Sequence, residues 1–325
     1  MRLLVTGGLG YVGSFAARHL ASVGHDVVIL DDLSTGHRRA AGGLETVTAD
    51  VRDAATVSGV LSHRRIEAVL HFAGLSQVGA SVKDPAGYYA VNVGGAVALL
   101  EAMRRAGVER LVFSSSAAVY GNPAVQPIPE TAPLAPVNPY GRSKAMVESI
   151  LRDAVAAGQI RAACLRYFNA AGAAEDGSLG EAHHPETHLI PRLLASARDG
   201  ETFTIHGNDY ATPDGTAVRD YIHVEDLAEA HARALGLLEK TPFLTLNLGT
   251  GKGYSVQEVL QTTEKILGKS IRSKFGARRD GDPDTLVACT NECIKTMNWL
   301  PMKSDLKMIL KSSILWHAQQ FRNTV

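Results

Sequence analysis

Seven residues near the start of the chain, Gly7-Gly8-Leu9-Gly10-Tyr11-Val12-Gly13, constrain the fold more than any other stretch. They follow a short apolar run, Arg2 to Thr6. They open a segment, Val12 to Val23, in which Phe15, Ala16, Leu20 and Val23 share one helical face. Glycine permits a tight turn and lets the backbone approach a pyrophosphate closely. A helix that starts there offers unpaired N–H groups and the positive end of its dipole to the same anion. Both G-x-x-G-x-x-G and G-x-G-x-x-G spacings are met, and Asp31 follows about 20 residues on. The context predicts a dinucleotide site in which Gly7, Gly10, Tyr11, Val12 and Gly13 face the ligand.

Strand-like and helix-like segments alternate through the first third of the chain. Strands are expected at Asp26 to Leu30, Glu45 to Ala49, Ala68 to Phe72 and Leu111 to Ser115, with helices between them, Ala96 to Ala106 included. Such alternation implies right-handed crossovers and a doubly wound, Rossmann-like parallel sheet, with ligands at the carboxyl ends of its strands. After about Ala170 the pattern changes. Ala171 to Pro185 is rich in Gly, Ala, His and acidic residues and reads as a long loop. Arg219 to Leu238 reads as a strand and helix returning to the main domain. The expectation is an α/β protein with a discontinuous smaller domain. Residues 1–170 with about 217–241 form the dinucleotide domain, and about 171–216 with 242–325 form an α/β substrate domain.

Composition excludes several function classes. Lys+Arg and Asp+Glu are 33 each, so no positive excess favours nucleic acid or a polybasic membrane contact. No apolar run approaches the ~20 residues of a transmembrane helix. The N-terminus enters a strand rather than a signal peptide. Three cysteines, Cys164, Cys289 and Cys293, make an odd set that suits a reducing cytoplasm better than a disulfide framework. Cys289 and Cys293 have no nearby His or Cys pair to complete a zinc site, so no metal is expected.

Asp31 and Asp32 end the second strand. A carboxylate there accepts hydrogen bonds from an adenosine ribose and repels a 2′-phosphate, which points to NAD rather than NADP. Arg38 and Arg39 offer either a grip on a 2′-phosphate or a solvated loop. Asp50-Val51 either meets the adenine or supplies a helix cap. Farther on, Tyr140-Gly141-Arg142-Ser143-Lys144 puts a phenol and an ammonium on one helical face. Phenol is a poor base near neutrality because its pKa is about 10. A neighbouring ammonium stabilises the phenolate. Ser114-Ser115-Ser116 at the end of the fifth strand adds a hydroxyl, Ser116, able to hold a substrate oxygen and share its proton. Tyr140, Lys144 and Ser116 are the candidate catalytic set.

These motifs carry a family resemblance over essentially the whole chain. With Gly7 to Gly13 stand Phe72-Ala73-Gly74-Leu75, Phe113 to Gly121, Pro139 to Lys144 and Leu165 to Gly172. Gly207 to Val224, Asn247-Leu248-Gly249 and Arg278-Arg279-Asp280-Gly281-Asp282 follow. The chain resembles the extended short-chain dehydrogenases/reductases, in the branch that epimerises UDP-sugars at C4. The resemblance implies that NAD stays bound while Tyr140 takes the proton of the sugar 4-hydroxyl. Hydride leaves C4, the 4-keto sugar turns, and hydride returns to its other face. UDP-galactose and UDP-glucose are the implied pair.

The resemblance also implies cofactor contacts at Ser34, Asp50, Val51, Phe72, Ala73, Gly74, Asn92, Ser114 and Phe168, alongside Tyr140 and Lys144. It implies that Ser116, Tyr140, Asn169, His188, Leu189, Arg219, Arg279 and Asp282 hold the UDP-sugar, and that the enzyme is a homodimer through Val91–Arg105 and Ser143–Ala157. Departures are Ser76 in place of a lysine, His188 in place of an asparagine and Leu286 at a wall position. His183 and His184 read as loop histidines. Ala117 and Ala118 stand where a 4,6-dehydratase needs an acid–base pair, and a methyl group transfers no proton. A non-catalytic NAD(H)-binding sensor is the rival reading from another class.

Overall fold

In a computed structural model, residues 1–279 and 281–322 are described; Asp280 of the acidic–basic motif and residues 323–325 lie outside the described residues. The apolar runs become β1 (Arg2–Thr6), β2 (Asp26–Asp31), β3 (Glu45–Thr48), β4 (Ala68–His71), β5 (Arg110–Ser116) and β6 (Arg161–Tyr167). Between and after them lie α1 (Tyr11–Ser22), α2 (Ala54–His63), α3 (Val78–Lys83), α4 (Pro85–Ala106) and α5 (Pro139–Ala156). The remainder supplies β7 (Asn169–Ala171), α6 (Leu189–Asp199), β8 (Phe203–His206), β9 (Val218–His223), α7 (Val224–Leu237) and β10 (Phe243–Leu248). It ends with β11 (Gly253–Ser255), α8 (Val256–Leu267), β12 (Ser273–Gly276), β13 (Thr285–Leu286), α9 (Asn291–Met297) and α10 (Leu306–Arg322).

Among the described residues the main sheet has seven strands in the order β10-β6-β5-β4-β1-β2-β3. Every neighbouring pair is parallel. Alternation along the strands supplies two cores. Leu3, Val5 and Ile29 pack with Leu20 of α1 and Leu227 and Ala234 of α7. Leu4, Val28 and Val69 pack on the other face with Leu99 of α4 and Leu151 of α5. The strand order reverses direction between β1 and β4, which opens a crevice at their carboxyl ends. α4 starts at Pro85, well before the expected Ala96, because Asp84 accepts from the Gly87 N–H at 3.0 Å and proline suits the first helical position.

Two strands sit in the opposite sheet from the one expected. β9 does not return to the main sheet; it pairs with β7, β11 and β13. Its buried Asp220 explains this, accepting hydrogen bonds from the N–H groups of Thr250, Gly251 and Ala288 in the segments beside it. β10, expected in the smaller domain, continues the main sheet beside β6, where Leu246 and Leu248 join the core. α7 does return, packing along α1. A separate core of Ile190, Leu193, Ile205, Val259, Ile309 and Leu310 holds α6, α8 and α10 against the smaller sheet.

Candidate active site

A cleft of about 1780 Å³ runs from the glycine turn, across the ends of β5 and β6, to the loop before β13. Its dinucleotide end is shaped by what glycine leaves out. Gly7 has φ +69°, and a Cβ there would lie 2.5 Å from the Ala73 nitrogen. A Cβ on Gly13 would run into the carbonyl of Gly7. α1 thereby starts directly beneath the turn. Gly13→Ala is expected to reduce retained dinucleotide by at least about tenfold. Cofactor content after gel filtration, with the unfolding transition as control, checks this.

Gly7, Gly10, Tyr11, Val12, Gly13, Asp31, Asp32, Ser34, Asp50, Val51, Phe72, Ala73, Gly74 and Phe168 all line the cleft. Asp31 is buried and also braces the turn, accepting from the N–H groups of Leu9 (3.0 Å) and Leu33 (2.9 Å). Burial pushes its carboxyl up while these bonds pull it down. Each oxygen keeps acceptor capacity for a ligand hydroxyl. Asp32 is exposed, with Oδ1 on the Ser34 N–H. Asp50 is clasped by the Arg52 guanidinium, and the cap of α2 is Asp53 instead. Arg38 reaches Thr48 and Arg39 lies over the Trp316 ring, so neither is among the cleft-lining residues.

Farther along the cleft, Ser116 at the end of β5 and Tyr140 at the start of α5 meet in its wall. Asn138 caps α5 through the Gly141 N–H at 2.8 Å, and this fixes Tyr140 in the first turn. Burial raises the Tyr140 phenol above its ordinary value; hydrogen bonding with Ser116 works the other way. Lys144 stands near the Tyr140 ring, as the spacing predicts, but its hydrogen bond goes elsewhere. Its Nζ donates to the Ser114 carbonyl at 2.8 Å and stands 5.9 Å from the centre of the Tyr140 ring. The carbonyl at the end of β5 is the nearer acceptor, so Lys144 lies behind the cleft wall rather than in it. Burial brings its ammonium down to about 8.

Two expected cofactor contacts likewise lie behind the wall, outside the lining. Asn92 is buried, with Oδ1 on the Leu75 N–H (2.8 Å) and Nδ2 on the Leu75 carbonyl (3.0 Å) and Ser143 Oγ (2.9 Å). It holds the Phe72 to Leu75 strip in place from beneath. The Ser114 hydroxyl bonds to the Tyr167 hydroxyl at 2.7 Å. Tyr167, which does line the cleft, was not singled out from the sequence. Neither was the buried pair that fastens α5 to the sheet. Glu148 and Arg166 meet at 2.5 Å, Glu148 accepts from Ser115 Oγ, and Arg166 donates to the Tyr120 hydroxyl at 2.8 Å. Glu148 lies one helical turn beyond Lys144, and that spacing was the available signal.

Asn169, His188, Leu189, Arg219, Arg279 and Asp282 line the far end. Arg219 pairs with Asp282 at 2.5 Å rather than with its neighbour Asp220. Its Nη2 also donates to the Pro283 carbonyl at 2.8 Å. Arg279 is exposed. Against burial, Glu181 and Glu186 hold the His188 imidazole up to about 8, with Arg279 opposing them, whereas burial and then Arg279 push His206 down. α6 begins at Leu189 with His188 as its cap residue, so N–H groups of its first turn open onto the cleft beside two guanidinium groups. Such a setting suits a diphosphate.

A parallel sheet with a dinucleotide turn after its first strand, and serine and tyrosine meeting where β5 gives way to α5, defines a Rossmann-type short-chain dehydrogenase/reductase. The chain belongs to the NAD dependent epimerase/dehydratase family, whose sequence profile it matches over residues 3–249. It is 48% identical over 320 residues to a UDP-glucose 4-epimerase of Lactobacillus helveticus, covering 98% of this chain and 97% of that one. Its fold matches a UDP-glucose 4-epimerase of Stenotrophomonas maltophila solved with NAD and formylated UDP-arabinopyranose. The TM-score is 0.96, with 40% identity and 99% of each chain covered. The UDP-Glc/GlcNAc 4-epimerase of Campylobacter jejuni matches with TM-score 0.85 and 36% identity, over 98% of this chain and 99% of that one.

Proposed function

We propose that this chain is a UDP-glucose 4-epimerase that interconverts UDP-galactose and UDP-glucose with NAD as a resident cofactor. The observation that carries the reading is one continuous cleft with Ser116 and Tyr140 between a dinucleotide turn and a diphosphate-type end. The residues fit NAD: Gly7 and Gly13 leave room for backbone contact, and Asp31 and Asp32 stand where a 2′-phosphate would be repelled. When bound, NAD supplies the hydride acceptor and donor for sugar C4.

Tyr140 takes the 4-hydroxyl proton and later returns it. Ser116 holds the same oxygen. Lys144, acting through space, favours the phenolate and is aimed by Ser114. Arg219, Arg279, Asp282, Asn169 and the start of α6 anchor UDP, so the sugar ring alone is free to turn. Ala117 and Ala118 line the cleft beside Ser116 and carry no proton-transferring group, which favours epimerisation over dehydration. The main-sheet portion binds NAD and the smaller portion binds UDP, with β10 assigned to the first and β9 to the second.

The test is direct chromatographic separation of UDP-sugars after purified protein meets UDP-galactose with no added NAD. UDP-glucose is expected. Its absence from folded protein loaded with NAD would overturn the reading in favour of the sensor. Leu286 lines the same cleft, and the Campylobacter jejuni relative is named for UDP-Glc and GlcNAc, so UDP-N-acetylgalactosamine belongs in a parallel reaction. Arg279→Met is expected to raise KM for UDP-galactose roughly tenfold to a hundredfold, the worth of a charged hydrogen bond, with the melting temperature unchanged. Competitive inhibition by UDP should weaken in parallel.

Two wider points complete the proposal. α4 and α5 lie side by side and leave Val97 and Met146 exposed, a face that suits a homodimer. The cysteines are all unbridged, which suits the cytoplasm. Among the described residues no helix is long and apolar enough to cross a membrane.

A further inference from the structure

We propose that Glu181, His183, Glu186 and His188 bind one zinc-type divalent cation. Each of the four offers a ligand atom, and these atoms all lie within 4.8 Å of one another. His183 Nδ1 stands 2.9 Å from Glu181 Oε1, and His188 Nδ1 reaches the same oxygen. His188 Nδ1 is 3.7 Å from Glu186 Oε1. A tetrahedral ion with bonds of about 2.0–2.2 Å separates its ligand atoms by about 3.4 Å. The 2.9 Å and 3.7 Å separations lie on either side of that value.

The charges point the same way. Two carboxylates belong to the cluster, and the Glu181 side chain is only 5% exposed. A divalent cation neutralises both while leaving the imidazoles uncharged, the form in which they ligate. Two nitrogens and two carboxylate oxygens suit zinc and its neighbours better than magnesium or calcium, which prefer all-oxygen shells. The backbone around the cluster is held independently of any ion. Trp316 Nε1 donates to the Glu181 carbonyl at 2.7 Å, His37 Nε2 meets the Ala182 carbonyl at 2.8 Å, and Gln77 reaches the Pro185 carbonyl. The side chains therefore converge from an anchored loop.

Four protein ligands mark a structural site rather than a catalytic one. The cluster lies between Tyr11, whose ring stands edge-on to His183, and the start of α6. A cation there cross-links residues 181–188 in the loop before α6 and so stiffens one wall of the cleft. His183 is thus a ligand rather than the plain loop histidine read from the sequence, while His184 is exposed and outside the set.

The test uses untagged, full-length protein stripped with EDTA and titrated with cobalt(II), then with zinc in competition. One cobalt(II) per chain is expected, with the intense visible band of a four-coordinate ion and no thiolate charge transfer. Zinc should displace it and raise the melting temperature. His183→Ala should bind at least about tenfold more weakly, and Glu181→Gln likewise if it folds. His184→Ala should bind as the parent does. No stoichiometric binding, or binding unchanged in His183→Ala, would overturn the proposal. The readouts are metal content and spectrum, so failure here leaves the epimerase reading standing.

Discussion

Tyr140→Phe lowers turnover of UDP-galactose by about 10²–10⁴-fold while the fold and the NAD content persist. The substitution removes one hydroxyl from a ring that is 7% exposed, so packing is retained. What is lost is the proton acceptor for the 4-hydroxyl. Nearby hydroxyls do not replace it. Ser116 is a far weaker acid than phenol, and Tyr167 is committed to Ser114, with burial pushing its phenol up strongly. Initial rates at saturating UDP-galactose check this, alongside NAD content. A variant that keeps more than about a tenth of parent turnover contradicts the role given to Tyr140.

Glu148→Ala destabilises the protein by about 3–5 kcal/mol, the range for breaking a buried ion pair. Glu148 is 0% exposed and Arg166 2%. Removing the carboxylate leaves a buried guanidinium with only the Tyr120 hydroxyl and the Glu130 carbonyl, and leaves Ser115 without its acceptor. Because Tyr140 and Lys144 ride on the same helix, turnover should fall as well. The urea unfolding midpoint measures the first effect. Glu101→Ala is the contrast: its pairs with Arg104 and Arg105 lie on an exposed helix face, and its midpoint should move little. Equal shifts for the two variants would contradict the argument.

The parts legible in the sequence were those written locally. The glycine turn, the strands that follow one another and the Tyr-x-x-x-Lys spacing each depend on neighbours a few residues apart. Partner choice across the chain was not legible. Arg219 pairs with a carboxylate 63 residues away while the adjacent Asp220 turns to backbone donors. The strand at β9 was legible but not the sheet it enters, and the β10 segment was assigned only to the smaller domain, since either core would accept an apolar strand. The spacing placed Lys144 near the phenol but did not show that its ammonium would bond to the Ser114 carbonyl. Asn92 was placed beside the cofactor, yet the amide is spent on Leu75 and Ser143. The convergence of Glu181, His183, Glu186 and His188 depends on a loop whose path no periodicity encodes.

The most direct test of the central claim follows the hydrogen at sugar C4. UDP-galactose carrying deuterium at that carbon is incubated with purified protein in ordinary water and no added cofactor. The UDP-glucose formed is isolated and its C4 position read by mass spectrometry and NMR. Removal and return of hydride within one cleft predicts UDP-glucose that keeps the deuterium at C4. UDP-glucose with solvent hydrogen there, or no UDP-glucose from folded, NAD-loaded protein, would contradict the account.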